Sequence, residues 1–131
     1  MKRIRLCLVI VLVLACFGQV SAQDRTYDHF FLEAMVQRQK GNNDAAFDLL
    51  RHCVELNPEA AEAWYFLAQY YNALKDQEKS QVCIQKAAAI SPENMTYMET
   101  LAQLYISQQD YAAAIPVVEG IYERNKERED M

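Results

Sequence analysis

The chain has 131 residues, with 13 Lys or Arg against 18 Asp or Glu and hydrophobic residues at 52%, which fits one small packed domain and excludes a large multidomain enzyme. Only three Gly and three Pro are present, too few for a disordered, collagen-like or turn-rich β chain, so helix is the expectation. No run of Lys or Arg follows residue 22, and without a basic stripe to displace counterions from phosphates a nucleic-acid partner is disfavoured.

Residues 1–22 open with Lys2, Arg3 and Arg5, continue with the apolar run Leu6 to Phe17 and close on the small-residue stretch Val20-Ser21-Ala22. This is the pattern of a secretory signal peptide. The apolar run is shorter than the about 20 residues needed to cross a bilayer. The expectation is export, with cleavage after Ala22 and a periplasmic or envelope location. Two alternatives stay open: an uncleaved anchor, and a lipoprotein signal in which Val13-Leu14-Ala15 precedes an acylated Cys16, resembling the bacterial lipobox. Residues 23–131 then carry ten basic and eighteen acidic side chains, a formal charge of −8.

From residue 27 onward the chain repeats itself every thirty-four residues. Asn42, Asp76 and Asp110 recur at that spacing, each where a short side-chain oxygen can cap the free N–H groups of a starting helix. Asn57, Ser91 and Asn125 recur likewise. Pro58 and Pro92 follow the first two, which suits a cap with proline at the first helical position. Between these markers Trp64, Leu67, Ala68 and Tyr71 stand at i, i+3, i+4 and i+7, one stripe of an α-helix. Ser80, Ile84 and Ala87 form the facing stripe of a second helix, their small members allowing close approach. Pro116 falls inside the last helix and predicts a bend there.

The middle copy, with Trp64, Leu67-Ala68, Tyr71, Ser80, Ile84, Ala87 and Pro92, resembles the tetratricopeptide repeat family. Residues 27–60 resemble a divergent first copy through Phe30, Ala34, Gly41, Ala46, Leu50, Cys53 and Pro58. Residues 95–128 resemble a third through Met98, Leu101-Ala102, Tyr105, Ala114 and Val118, with Lys126 in the place of the proline. The resemblance implies an all-α, right-handed solenoid of three helix-turn-helix repeats at 27–60, 61–94 and 95–128, after a signal peptide at 1–22 and a short segment at 23–26. Residues 129–131 would be a tail or the start of a truncated further helix, leaving the apolar face of the last helix open to self-association. On this alignment Trp64 is a core residue, and Cys53 and Cys83 sit at non-equivalent heights of successive second helices. A disulfide needs Cα atoms about 4.4–6.8 Å apart, so both thiols are expected to stay unpaired.

No nucleophile and base, glycine-rich phosphate loop or metal set emerges from the residues, so neither catalysis nor a cofactor, metal or small-molecule substrate is expected. His52, Cys53 and Cys83 lack a fourth ligand, and adjacent helical residues diverge by about 100°. The resemblance instead implies binding of a protein or peptide in a concave groove lined by the first helix of each repeat. Carried over by position, that face holds Phe31, Met35 and Arg38, then Glu62, Tyr65, Gln69 and Asn72, then Glu99, Gln103 and Ile106. The family's carboxylate-clamp positions hold Phe31, Met35, Phe66, Thr96 and Thr100, which cannot grip a carboxylate as cations do. The expected ligand is an extended or helical segment with apolar anchors and some positive charge. The alternative is that the chain is the N-terminal part of a longer structural solenoid or of an envelope assembly lipoprotein.

Overall fold

A computed structural model describes residues 2–131, with side chains described for residues 2–4 and 23–131. Cleavage after Ala22 and acylation of Cys16 therefore concern side chains outside the described ones. The described residues form six helices and no strand: α1 Lys2–Gln39, α2 Asn43–Leu56, α3 Ala61–Ala73, α4 Gln77–Ile90, α5 Met95–Ser107 and α6 Tyr111–Glu129. The chain is all-α and built of helix hairpins, α1 packing on α2, α3 on α4 and α5 on α6. It divides into two compact units, residues 1–57 and 58–131.

Each hairpin turns in the same way. Gly41, Lys75 and Gln109 take positive φ values of 78°, 61° and 60°. The following N–H of Asn42, Asp76 and Asp110 reaches back to the carbonyl of Gln37, Tyr71 and Tyr105, each at 2.9 Å. A left-handed residue followed by such a backward bond closes a helix C-terminus. The thirty-four-residue period of the sequence is thus also a period of the backbone.

The capping markers behave less uniformly than their spacing predicts. Asp76 and Asp110 accept from Lys79 N at 3.2 Å and Ala113 N at 3.1 Å, whereas Asn42 makes no side-chain cap bond. Its Nδ2 donates to Gln37 Oε1 at 2.7 Å instead. Asn57 and Ser91 end α2 and α4 rather than opening the next helices. Proline disfavours the α region for the residue before it, and both residues accordingly lie outside it, with φ −138° and −125°. The caps of α3 and α5, Ala60 and Asn94, stand three residues further on, and Asn94 accepts from Thr96 N and Tyr97 N. Asn125, followed by Lys126 instead of proline, stays helical, and α6 runs through Pro116 to Glu129 without a new helix starting.

In the first unit the core is Tyr27, Ala34, Ala46, Leu50 and Cys53. The His52 and Phe30 rings meet edge to face, centroids 4.6 Å apart at 89°. In the second unit Leu67, Ala68, Cys83, Ile84, Ala87, Leu101 and Ala102 are buried, matching the two facing stripes. Ser80 is buried as well and donates its hydroxyl proton to the Ala68 carbonyl at 2.9 Å, which satisfies its polar group between α3 and α4. Trp64 is half-buried rather than a core residue. Its Nε1 donates to the Pro58 carbonyl at 2.8 Å, and Lys86 Nζ lies 4.1 Å from the centroid of its ring. Cys53 and Cys83 are buried and are not joined in a disulfide.

Candidate functional site

Helices α3, α4 and α5 enclose a cleft of about 410 Å³ in the second unit. Its walls come from α3 and α5, because residues four and seven apart on a helix share a face. Tyr65, Gln69 and Asn72 form one wall, and Thr100, Gln103 and Ser107 the other. Ala68, Ser80, Ile84 and Leu104 complete it, with Gln77 at the start of α4. Asn72 and Gln77 are joined across the α3–α4 turn, Gln77 Nε2 donating to Asn72 Oδ1 at 3.1 Å. Between α4 and α5, Gln85 Nε2 donates to the Tyr105 hydroxyl at 2.7 Å, which ties one wall to the helix beneath.

Tyr65 is held by other rings. Its centroid lies 4.9 Å from that of Tyr97 and 5.6 Å from that of Phe66, distances at which aromatic pairs attract. Burial pushes the Tyr97 hydroxyl above its ordinary pKa, and the nearby Glu62 carboxylate adds to that. Cys83, in α4, is pushed up to about 11 by burial, which keeps it a protonated, unreactive thiol at neutral pH.

Of the ten residues assigned by position, Tyr65, Gln69, Asn72 and Gln103 line this one cleft. Glu62, Glu99 and Ile106 lie on α3 and α5 but do not line it. Phe31, Met35 and Arg38 belong to the first unit, on α1, where the Phe31 ring stacks on Tyr27 with centroids 5.7 Å apart. Sequence reasoning did not find Gln77, Leu104 or the Tyr97 partner of Tyr65. Gln77 carried a signal, standing five residues after Asn72 across a turn. Leu104 and Tyr97 carried none beyond the apolar period. Among the described residues no group of three His, Cys, Asp or Glu is placed to hold a metal ion, and no helix is long and apolar enough to cross a membrane.

Two tetratricopeptide repeat family models match the chain, at residues 31–70 and 61–94. Tetratricopeptide repeat protein 21B of Homo sapiens is 46% identical over 55 residues, which is 42% of this chain and 4% of that protein. The Mus musculus protein of the same name is 32% identical over 91 residues, 70% of this chain and 7% of that one. The chain therefore spans only a small fraction of these relatives. Among solved structures, MamA superposes with a TM-score of 0.69 at 17% identity over 80% of this chain and 61% of that one. MamA of Desulfovibrio magneticus RS-1, from residue 41 to its end, gives 0.64 at 20% over 84% and 70%. The CopN-Scc3 complex gives 0.64 at 12% over 75% and 58%. The solved structures share the fold, and the two family models with the two relatives show that the chain belongs to the tetratricopeptide repeat family.

Proposed function

We propose that the chain is a protein-binding scaffold with no catalytic step of its own, taking a peptide or helix of a partner along the α3 and α5 walls. The observation that carries this reading is the cleft itself, where four of the residues assigned to a binding groove converge above an apolar floor. Apolar surface ringed by a few placed polar groups is the usual form of a binding site. The CopN-Scc3 complex, a similar fold found with a partner, supports the same reading. The N-terminal pattern of Lys2, Arg3, Arg5, the apolar run and Val20-Ser21-Ala22 supports placing this activity in the cell envelope, with the Cys16 lipoprotein as the alternative form.

A photo-crosslinking residue at Gln103 or Gln69, compared with one at Asp48 in α2, tests the assignment in cells. Discrete adducts with a second protein at the cleft positions and none at Asp48 are expected. Adducts at Asp48 alone would overturn it.

A second reading is favoured by α6. Tyr111, Ile115, Val118 and Tyr122 are 58%, 54%, 45% and 65% exposed, and their spacing of four, three and four places them on one stripe of the helix. This stripe supports self-association of the chain, or, in a longer solenoid, packing of a further helix.

A further inference from the structure

Resting on the protein-binding reading, we propose that the cleft between α3 and α5 recognises an uncharged, extended stretch of polypeptide through its backbone amides, and not the positively charged segment that the acidic composition suggests. None of the residues lining the cleft carries a formal charge at neutral pH, in a chain where charged residues make up 24%. Glu62 and Glu99, which would attract a cation, stand outside it.

Carboxamides from all three helices, Gln69 and Asn72, Gln77, and Gln103, line it instead, beside the hydroxyls of Ser80, Thr100 and Ser107. A carboxamide offers a donor and an acceptor at once, the pair that a peptide unit also presents. The bond from Gln77 Nε2 to Asn72 Oδ1 engages one lone pair of the Asn72 oxygen and leaves its Nδ2 protons and Gln77 Oε1 for a ligand. Dimensions agree with this match. Tyr65 and Asn72 are seven residues apart on α3, about 10 Å at 1.5 Å per residue, the length of about three residues of extended chain. Alternate side chains of such a chain point to opposite faces, so one in the middle enters the floor of Ala68, Ile84 and Leu104 while its neighbours face away. A sugar would need an open aromatic face, and the Tyr65 ring is packed against Tyr97 and Phe66.

The 131-residue chain can be probed with arrays of acetylated, amidated octapeptides in three sets: uncharged with one central apolar residue, lysine-rich, and glutamate-rich. The uncharged set should capture it, with affinity changing less than about twofold between 0.05 and 1 M NaCl, because no charge in the cleft is there to be screened. Gln103→Ala and Asn72→Ala should each weaken capture about tenfold at an unchanged melting temperature, and N-methylation of the central peptide nitrogen should do the same. Capture confined to the lysine-rich set, lost steeply with salt, would overturn the proposal and leave the protein-binding reading standing. Uncharged peptides bound equally by the variants and the parent would also overturn it, by placing the site elsewhere. Capture of no set would also overturn it, and the crosslinking at Gln103 and Gln69 would then decide the protein-binding reading separately.

Discussion

Lys75 and Gln109 occupy the left-handed region at φ 61° and 60° where the first hairpin has Gly41 at 78°. A side chain there costs about 1–2 kcal/mol through its Cβ, and glycine's greater freedom when unfolded gives back about 0.5–1 kcal/mol. Lys75→Gly and Gln109→Gly should therefore each stabilise the fold by about 0.5–1 kcal/mol, seen as a higher urea midpoint at unchanged slope. Gly41→Ala should do the reverse, although nothing lies within 4 Å of the added Cβ, because the cost is in the backbone. Cys83 makes a second residue-level expectation. Its thiol titrates near 9.0 when unfolded and is pushed up to about 11 in the fold by burial, so between those values the unfolded state binds fewer protons and stability falls as pH rises. The contribution is fully present below pH 9 and is lost by about pH 11, amounting to about 3 kcal/mol. Tyr97 and Lys79 are also raised and add their own alkaline loss. The check is accordingly the difference between the parent and Cys83→Ala in melting temperature from pH 8 to 11, the variant losing less.

Helix α6 shows what decides where an element stops. Leu56 and Ile90 end α2 and α4 because Asn57 and Ser91 precede proline, and the same point in the third hairpin, Arg124, is passed because Lys126 replaces it. Lys126→Pro should restore the stop, shortening α6 by about five residues with a matching fall in helical ellipticity. Gly120 lies within the same helix with open space where a Cβ would be added, so Gly120→Ala should stabilise it by about 1 kcal/mol, measured by denaturant unfolding. The caps separate in the same way. Asp76→Ala and Asp110→Ala each remove a side-chain acceptor from a helix start and should cost about 1 kcal/mol. Asn42→Ala should cost less, since its side chain bonds Gln37 and not the helix.

At the scale of the whole molecule the stripe of Tyr111, Ile115, Val118 and Tyr122 stands exposed along α6. Contiguous apolar stripes of this kind mark association sites. Sedimentation of the 131-residue chain should show mass rising with concentration, and Ile115→Lys should hold it monomeric without changing its melting temperature. A parent chain that stays monomeric at high concentration would remove the self-association reading.

The residues alone determined the all-α hairpins, the period and the stripes that pack them, because those follow from local propensity and from spacings of three and four that any observer can count: Leu67, Ala68, Ile84 and Ala87 are buried where their spacing put them. The turns were partly legible too, through Gly41 and the acids at 76 and 110. Tertiary structure decided what spacing cannot express. Proline set Asn57 and Ser91 as helix ends instead of helix starts, and Trp64 came to rest half-buried under Lys86, since burial depends on what a neighbouring helix covers. The chemistry of the cleft was decided there as well. Composition and net charge describe a whole face, whereas a ligand meets only the side chains that three helices bring together, and at that point the structure gathers Gln69, Asn72, Gln77 and Gln103 and leaves Glu62 and Glu99 outside.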